Sequence, residues 1–200
     1  PAKDLAPVAL IGTTPLVLVV AGNATGSTPQ EWLTWLRNQG DKGSFGSPGI
    51  GTPGHLGMEL VKSRSGITAL LGGQLQAALL PPGLALQQVR AGKLKAIGVT
   101  AERRSALAAE LPTLREVGVL GADLELWTAL AGPASLPPAV SEKLAAAAIE
   151  VVKAEETRQR LIAVGWQPTP TTAVGLRNRM ATDTRVFGGI IMMRNIRAEN

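Results

Sequence analysis

The residue types able to do chemistry gather in one stretch, Ser44-Phe45-Gly46-Ser47-Pro48-Gly49-Ile50-Gly51-Thr52-Pro53-Gly54-His55-Leu56. It holds the hydroxyls of Ser47 and Thr52 and the single histidine of the chain, His55, among closely spaced glycines. The stretch ends on a helix-start signal. Thr52 is a natural N-cap, and Pro53 takes the first helical position, where its missing N–H does no harm. A glycine-rich backbone running into a helix N-terminus points several unpaired N–H groups at one place, which suits a carboxylate, a phosphate or a similar acceptor-rich group. A plain capped turn is the alternative. For His55, capping or packing is the competing role, and the positive end of the helix dipole favours its neutral imidazole.

Other chemistries fit less well. One histidine among dispersed carboxylates does not make a metal site. Gly46-Ser47-Pro48-Gly49 only half imitates a nucleophile elbow. No Lys-Ser or Lys-Thr follows Gly49-Ile50-Gly51-Thr52, so the phosphate loop of nucleotide hydrolases is absent. Gly49-x-Gly51-x-x-Gly54 formally matches a dinucleotide fingerprint, but Pro53 stands at the helix start and no acidic residue ends a following strand at the required distance. No cofactor is expected. Binding without turnover is the better fit.

The chain's totals narrow the field further. With 200 residues, 45% of them apolar, the chain can build one large domain or two smaller lobes around a real core. Four Trp, two Phe and no Tyr leave little for stacking on single-stranded nucleic acid. A net charge of +5 mildly favours an acidic ligand, although the basic residues are scattered and form no nucleic-acid arm. There is no cysteine, hence no disulfide, thiol catalysis or cysteine-bound zinc. Residues 5–21 come closest to a membrane span, but Pro7, Gly12, Thr13, Thr14 and Pro15 interrupt them.

The elements that must position the glycine turn read as alternating strands and helices, an α/β pattern with a mixed or parallel sheet. Residues 5–12 and 16–21 are β-branched apolar runs, two strands or one bent at Pro15. Thr28-Pro29-Gln30-Glu31 is a capping box opening a helix to about residue 38, with Trp32, Leu33 and Leu36 inward. Residues 42–45 suggest a short strand into the turn, and a helix runs from Thr52 to about residue 63. Residues 67–71 have helical character. Strands are expected at 75–80, 94–99 and 124–130, the last with Trp127 at its centre. Helices are expected at 84–91, 112–117, 139–153, 155–164 and 173–186. Residues 101–110 read as a surface connection, 168–172 as the approach to the last helix, and the part after Phe187 as an apolar, then basic tail.

In this order the motifs resemble a known family, the extracytoplasmic receptors of tripartite tricarboxylate transporters, or Bug-type solute-binding proteins. Ser44 to Leu56 looks like the family's aromatic-Gly-Ser…Gly-Thr…His-Leu loop, and Leu70-Leu71-Gly72-Gly73-Gln74-Leu75 like its Leu-Leu-Gly-Gly-Gln element. Ala91-Gly92-Lys93-Leu94-Lys95-Ala96-Ile97-Gly98-Val99-Thr100, with Arg103-Arg104-Ser105 and Leu111-Pro112-Thr113, is similar to its Gly-Lys-Leu strand and Leu-Pro-Thr turn. Trp127 to Pro138 resembles its return strand and Pro-rich loop. The resemblance implies a type II periplasmic binding protein fold, with two lobes of mixed or parallel sheets and a flytrap hinge. It also implies that the first lobe is incomplete here, without its N-terminal part and a short segment between Gly66 and Ile67. Residues 1–118 would form the second ligand-binding lobe with a crossover strand, and 119–200 a return strand and C-terminal helices mainly of the first lobe.

By position, the resemblance implies that Ser47, Gly49, Gly51 and Thr52 hold a ligand carboxylate, directly or through water. His55 is a further candidate, with Thr13 and Thr14 on the inter-lobe strand, and Trp127 is placed near the hinge. The implied partners are a small organic acid and integral-membrane transporter subunits, with no nucleic acid. The implied state is a periplasmic monomer without catalytic or metal-binding residues. Two other readings stay open: the ligand-sensing flytrap domain of a transcription regulator, and an esterase-like enzyme using Ser47 and His55.

Overall fold

The computed structural model describes residues 4–40, 43–47, 49–67 and 75–197. The expected strand start at Lys42, the helical reading of 68–71 and the Leu-Leu-Gly-Gly-Gln element up to Gln74 lie outside these residues. The chain forms two compact units. One comprises Pro1–Thr14 and Leu126–Gly188, the other Pro15–Glu125 and Gly189–Asn200. The chain thus passes between units three times, where the sequence suggests a single division at 118/119.

The first unit carries a three-stranded sheet in the order β6-β1-β7, from β1 (Leu5–Pro15), β6 (Glu125–Pro133) and β7 (Gln167–Thr172). Strands β1 and β7 are antiparallel, pairing Ala9 with Thr172 and Thr13 with Gln167 across an irregularity between Leu10 and Gly12. Val8 and Ala9 of β1 pack against Ala145 of helix α4 (Pro138–Lys153). Helix α5 (Glu155–Ala163) buries no side chain.

Three sequence expectations are corrected here. Thr13, Thr14 and Pro15 do not break the strand; they belong to β1, and the break falls at Leu16. Residues 168–172, expected only as the approach to the last helix, form most of β7. Pro168 and Pro170 hide it from a propensity reading, yet β7 is an edge strand, where a residue without an N–H is tolerated. Helix α6 runs Ala173–Met193, beyond the expected end at 186, because the apolar segment after Phe187 continues the helix despite Gly188 and Gly189.

The second unit is built on a four-stranded sheet in the order β3-β4-β2-β5. Its strands are β2 (Val17–Ala21), β3 (Phe45–Gly46), β4 (Ala77–Leu80) and β5 (Leu94–Val99). Strand β2 is antiparallel to both β4 and β5, whereas β3 joins β4 in parallel, so the sheet is mixed. Val17, Val19, Ala96 and Val99 form one core with Ala85 of helix α3 (Pro82–Arg90). Buried Thr100 ties three segments together. Its hydroxyl accepts from Leu16 N at 2.9 Å and donates to the Leu124 carbonyl.

Helix α1 (Pro29–Arg37) has the expected capping box. Thr28 Oγ1 accepts from Glu31 N, and Glu31 accepts from Thr28 N at 3.1 Å and Ser27 N at 2.6 Å. These backbone donors, Ser27 first, hold the Glu31 carboxyl below its ordinary range. Trp32 is half-buried rather than fully inward, because its indole N–H donates to Gly26 O at 2.8 Å.

The expected helix at 112–117 is instead a group of turns. Thr113 and Glu116 do cap one another, Thr113 N donating to Glu116 Oε2 at 2.6 Å and Glu116 N to Thr113 Oγ1 at 3.1 Å. The segment then closes at Gly118, whose φ of +96° ends any helical path. The Thr113 N–H first, and then Arg104, hold the Glu116 carboxyl below its ordinary range. A carboxylate with a lowered folded pKa stabilises the fold above its unfolded pKa, and the effect is lost as pH falls through the folded value. Glu116→Gln should therefore lower the melting temperature at neutral pH. The gap from the wild type should close on acidification through the folded pKa, as melting scans across acidic pH will show.

Candidate functional site

The glycine turn leaves the carboxyl end of β3 and enters helix α2 (Pro53–Ser65). Pairing of Phe45 with Ala77 and Gly46 with Ala78 fixes its first end. The N-cap fixes its second: Thr52 is extended, its Oγ1 accepts from His55 N at 3.4 Å, and Pro53 opens the helix. Between them Gly51 has φ +78°, a left-handed backbone that glycine adopts without strain. The carboxyl end of a strand leading into a helix N-terminus is the usual ligand position in open α/β sheets.

The sequence-predicted residues of this turn come together, and most of their donors point inward. Thr52 Oγ1 donates to Gly49 O at 2.7 Å, Ser47 Oγ approaches the same carbonyl at 3.4 Å, and Thr52 N reaches it at 3.3 Å. Gly51 N–H donates to His55 Nδ1 at 3.1 Å. Ser47, Gly49 and Gly51 are exposed, and Thr52 and His55 half-buried. The His55 ring stacks on Phe45, with centroids 6.0 Å apart and planes inclined by 16°. Thr13 and Thr14 lie in the first unit, both buried on β1. Trp127 is there too, its indole N–H donating to Asp183 Oδ2 at 2.7 Å, and Asp183 is paired with Arg179.

A charged group behind the turn is not evident from sequence. Glu59 and Lys62 are buried on α2, joined at 2.6 Å, and Arg194 approaches the other Glu59 oxygen at 3.2 Å. Lys62 Nζ also lies 5.5 Å from the centre of the Phe45 ring. In Met58-Glu59-Leu60-Val61-Lys62 every residue is buried, so the two charges stand where a helix reading expects a solvated face. The one signal in the sequence is the lack of a clean polar stripe on this helix.

Among the described residues no group of three or more His, Asp or Glu side chains could hold a metal ion. Nor is any helix among them long and apolar enough to cross a membrane. A hollow of about 390 Å³ beside α1 is lined by other residues, including Gly26, Gln30 and Glu31, the last already engaged in its capping box.

The described residues thus place a helix-capped glycine turn at the carboxyl end of a strand in a mixed sheet. Comparison with known proteins gives the class. Residues 1–196 match the model of the tripartite tricarboxylate transporter family receptor, TctC, and the chain belongs to this family of solute-binding receptors. A UPF0065 protein of Bordetella pertussis is 31% identical over 157 residues, covering 72% of this chain and 49% of the relative. The protein BugT of the same organism is 23% identical, covering 94% and 62%. The chain therefore spans about half to three fifths of the length of these curated relatives.

Solved structures share the fold. R. palustris Rpa4515, determined with adipate, superposes with a TM-score of 0.80 at 19% identity, over 98% of this chain and 70% of that one. MatC of Rhodopseudomonas palustris, with bound malate, gives 0.73 at 21% identity, over 96% and 71%. The periplasmic binding protein BugD gives 0.75 at 20% identity, over 98% and 71%.

Proposed function

We propose that this chain is a periplasmic receptor that binds a small organic carboxylate at the turn from Ser47 to His55 and delivers it to a tripartite transporter in the membrane. Membership of a solute-receptor family carries this reading. The carboxylates bound by two structural relatives, adipate and malate, support the ligand class. The turn supplies matching chemistry, since a helix N-terminus favours negative charge and a glycine backbone lets an acceptor approach closely. Ser47, Gly49, Gly51, Thr52 and His55 are proposed to line the ligand position, the hydrogen bonds to Gly49 O and His55 Nδ1 giving it its shape, with Thr13 and Thr14 as a separate polar pair. No group in the turn is asked to break a bond, and the ligand is released unchanged.

Thermal unfolding against a panel of di- and tricarboxylates tests the reading. A ligand at about 100 times its Kd should add roughly 2.7 kcal/mol of stability, an easily read rise in melting temperature. No rise with any acid of the panel would count against a carboxylate receptor.

A further inference from the structure

We infer that His55 is the side chain of the turn that reads the ligand's acceptor oxygen, through an Nε2–H fixed in place by the protein; this rests on the carboxylate-binding reading above. The hydrogen bonds of the turn lead to it. Of the side-chain donors among the described residues 47–55, the Thr52 hydroxyl is committed to Gly49 O at 2.7 Å and the Ser47 hydroxyl turns to the same oxygen at 3.4 Å. His55 Nδ1 accepts the Gly51 N–H at 3.1 Å, so Nδ1 carries no proton and the neutral ring must carry its proton on Nε2. Nε2 has no partner among the described residues. The donor thus left for a ligand lies in the first turn of α2, where the helix dipole also favours an anion.

The ring is held from behind. Its stack on Phe45 sets the ring plane, and Lys62 lies over Phe45 at 5.5 Å. Lys62 is itself held by Glu59 at 2.6 Å, and Glu59 by Arg194 at 3.2 Å. Phe45 and Lys62 are therefore positioning residues, which act through the His55 ring by fixing the direction in which Nε2–H points. A neutral donor in one tautomer discriminates by acceptor geometry, whereas a mobile cation would accept any anion.

The single histidine makes the test direct, because every imidazole nitrogen signal in a nitrogen-15 spectrum belongs to His55. Without ligand, the spectrum should show the Nε2–H tautomer with a bare Nδ1. Addition of malate or adipate should move Nε2 and leave Nδ1 nearly still. Titration calorimetry then adds variants. His55→Phe keeps the stack and removes the donor, and should weaken acid binding about tenfold or more, the loss expected of a hydrogen bond to a charged group. His55→Gln, which can place an N–H near Nε2, should recover most of that loss. Lys62→Met should broaden the Nε2 signal, as the ring loses its fixed direction, while Nδ1 stays bare because Gly51 N–H still holds it, a change that a purely structural lysine would not produce.

An Nδ1–H tautomer, or His55→Phe binding as the wild type does, would overturn the inference and leave the carboxylate reading standing. Failure of the wild type to bind any acid would overturn both. Melting scans of each variant separate loss of the donor from loss of the fold.

Discussion

Replacing Glu59 by Ala should destabilise the chain by about 3 kcal/mol or more, the usual penalty for removing one partner of a buried ion pair. For a chain of this size that corresponds to a fall in melting temperature of roughly 6–12 °C. The Glu59 and Lys62 side chains are each only 9% exposed and meet at 2.6 Å, and Arg194, 34% exposed, reaches the second carboxylate oxygen at 3.2 Å. Without Glu59 the Lys62 ammonium keeps its burial and loses its counter-charge, and Arg194 loses its anchor. The pair itself is not proof of net stability, since its mutual attraction only offsets the desolvation of both ions. The double variant Glu59→Leu/Lys62→Met should accordingly recover a large part of the single-variant loss. Moderate salt should change these differences little, because buried pairs are weakly screened. Urea and thermal unfolding of the single and double variants provide the check. A Glu59→Ala effect below about 1 kcal/mol, typical of a surface pair, would refute burial of this charge.

Gly51→Val should weaken binding of the acid ligand about tenfold or more. A Cβ at Gly51 meets nothing within 4 Å, so space is not the obstacle. The obstacle is φ +78°, a left-handed backbone that opposes a side chain by roughly 1–2 kcal/mol and a β-branched one most of all. Relaxing that strain swings the peptide whose N–H holds His55 Nδ1 at 3.1 Å and loosens the Thr52 cap beside it. Gly51→Asn should be milder than Gly51→Val, because asparagine tolerates this region. The order glycine, asparagine, valine in affinity separates a backbone effect from simple bulk.

Much of this architecture is written locally in the chain. The Thr28 and Thr52 caps, Pro29 and Pro53 beside them and the apolar run 94–99 act over a few residues, and each is found where the sequence places it. Features set by tertiary pairing are not legible in that way. Strand β7 has prolines at 168 and 170 and becomes a strand because β1 offers it an edge. Thr113 and Glu116 carry a helix-start signal, but the chain needs only one turn before Gly118. The same limit applies at the candidate site. The glycines, hydroxyls and histidine of the turn stand out as residue types, and the cap follows from Thr52-Pro53. That both hydroxyls turn to Gly49 O, that Gly51 N–H selects Nδ1 of His55, and that Glu59, Lys62 and Arg194 form the support depend on distances that only the folded chain has.

Titration calorimetry of the wild type against malate and adipate, repeated with Gly51→Val, puts carboxylate binding at the glycine turn to the test. At least one acid should bind the wild type saturably, and Gly51→Val should bind it about tenfold or more weakly while remaining folded. Equal affinity in the two proteins, or no binding by the wild type of these acids or of any other in the di- and tricarboxylate panel, would contradict it.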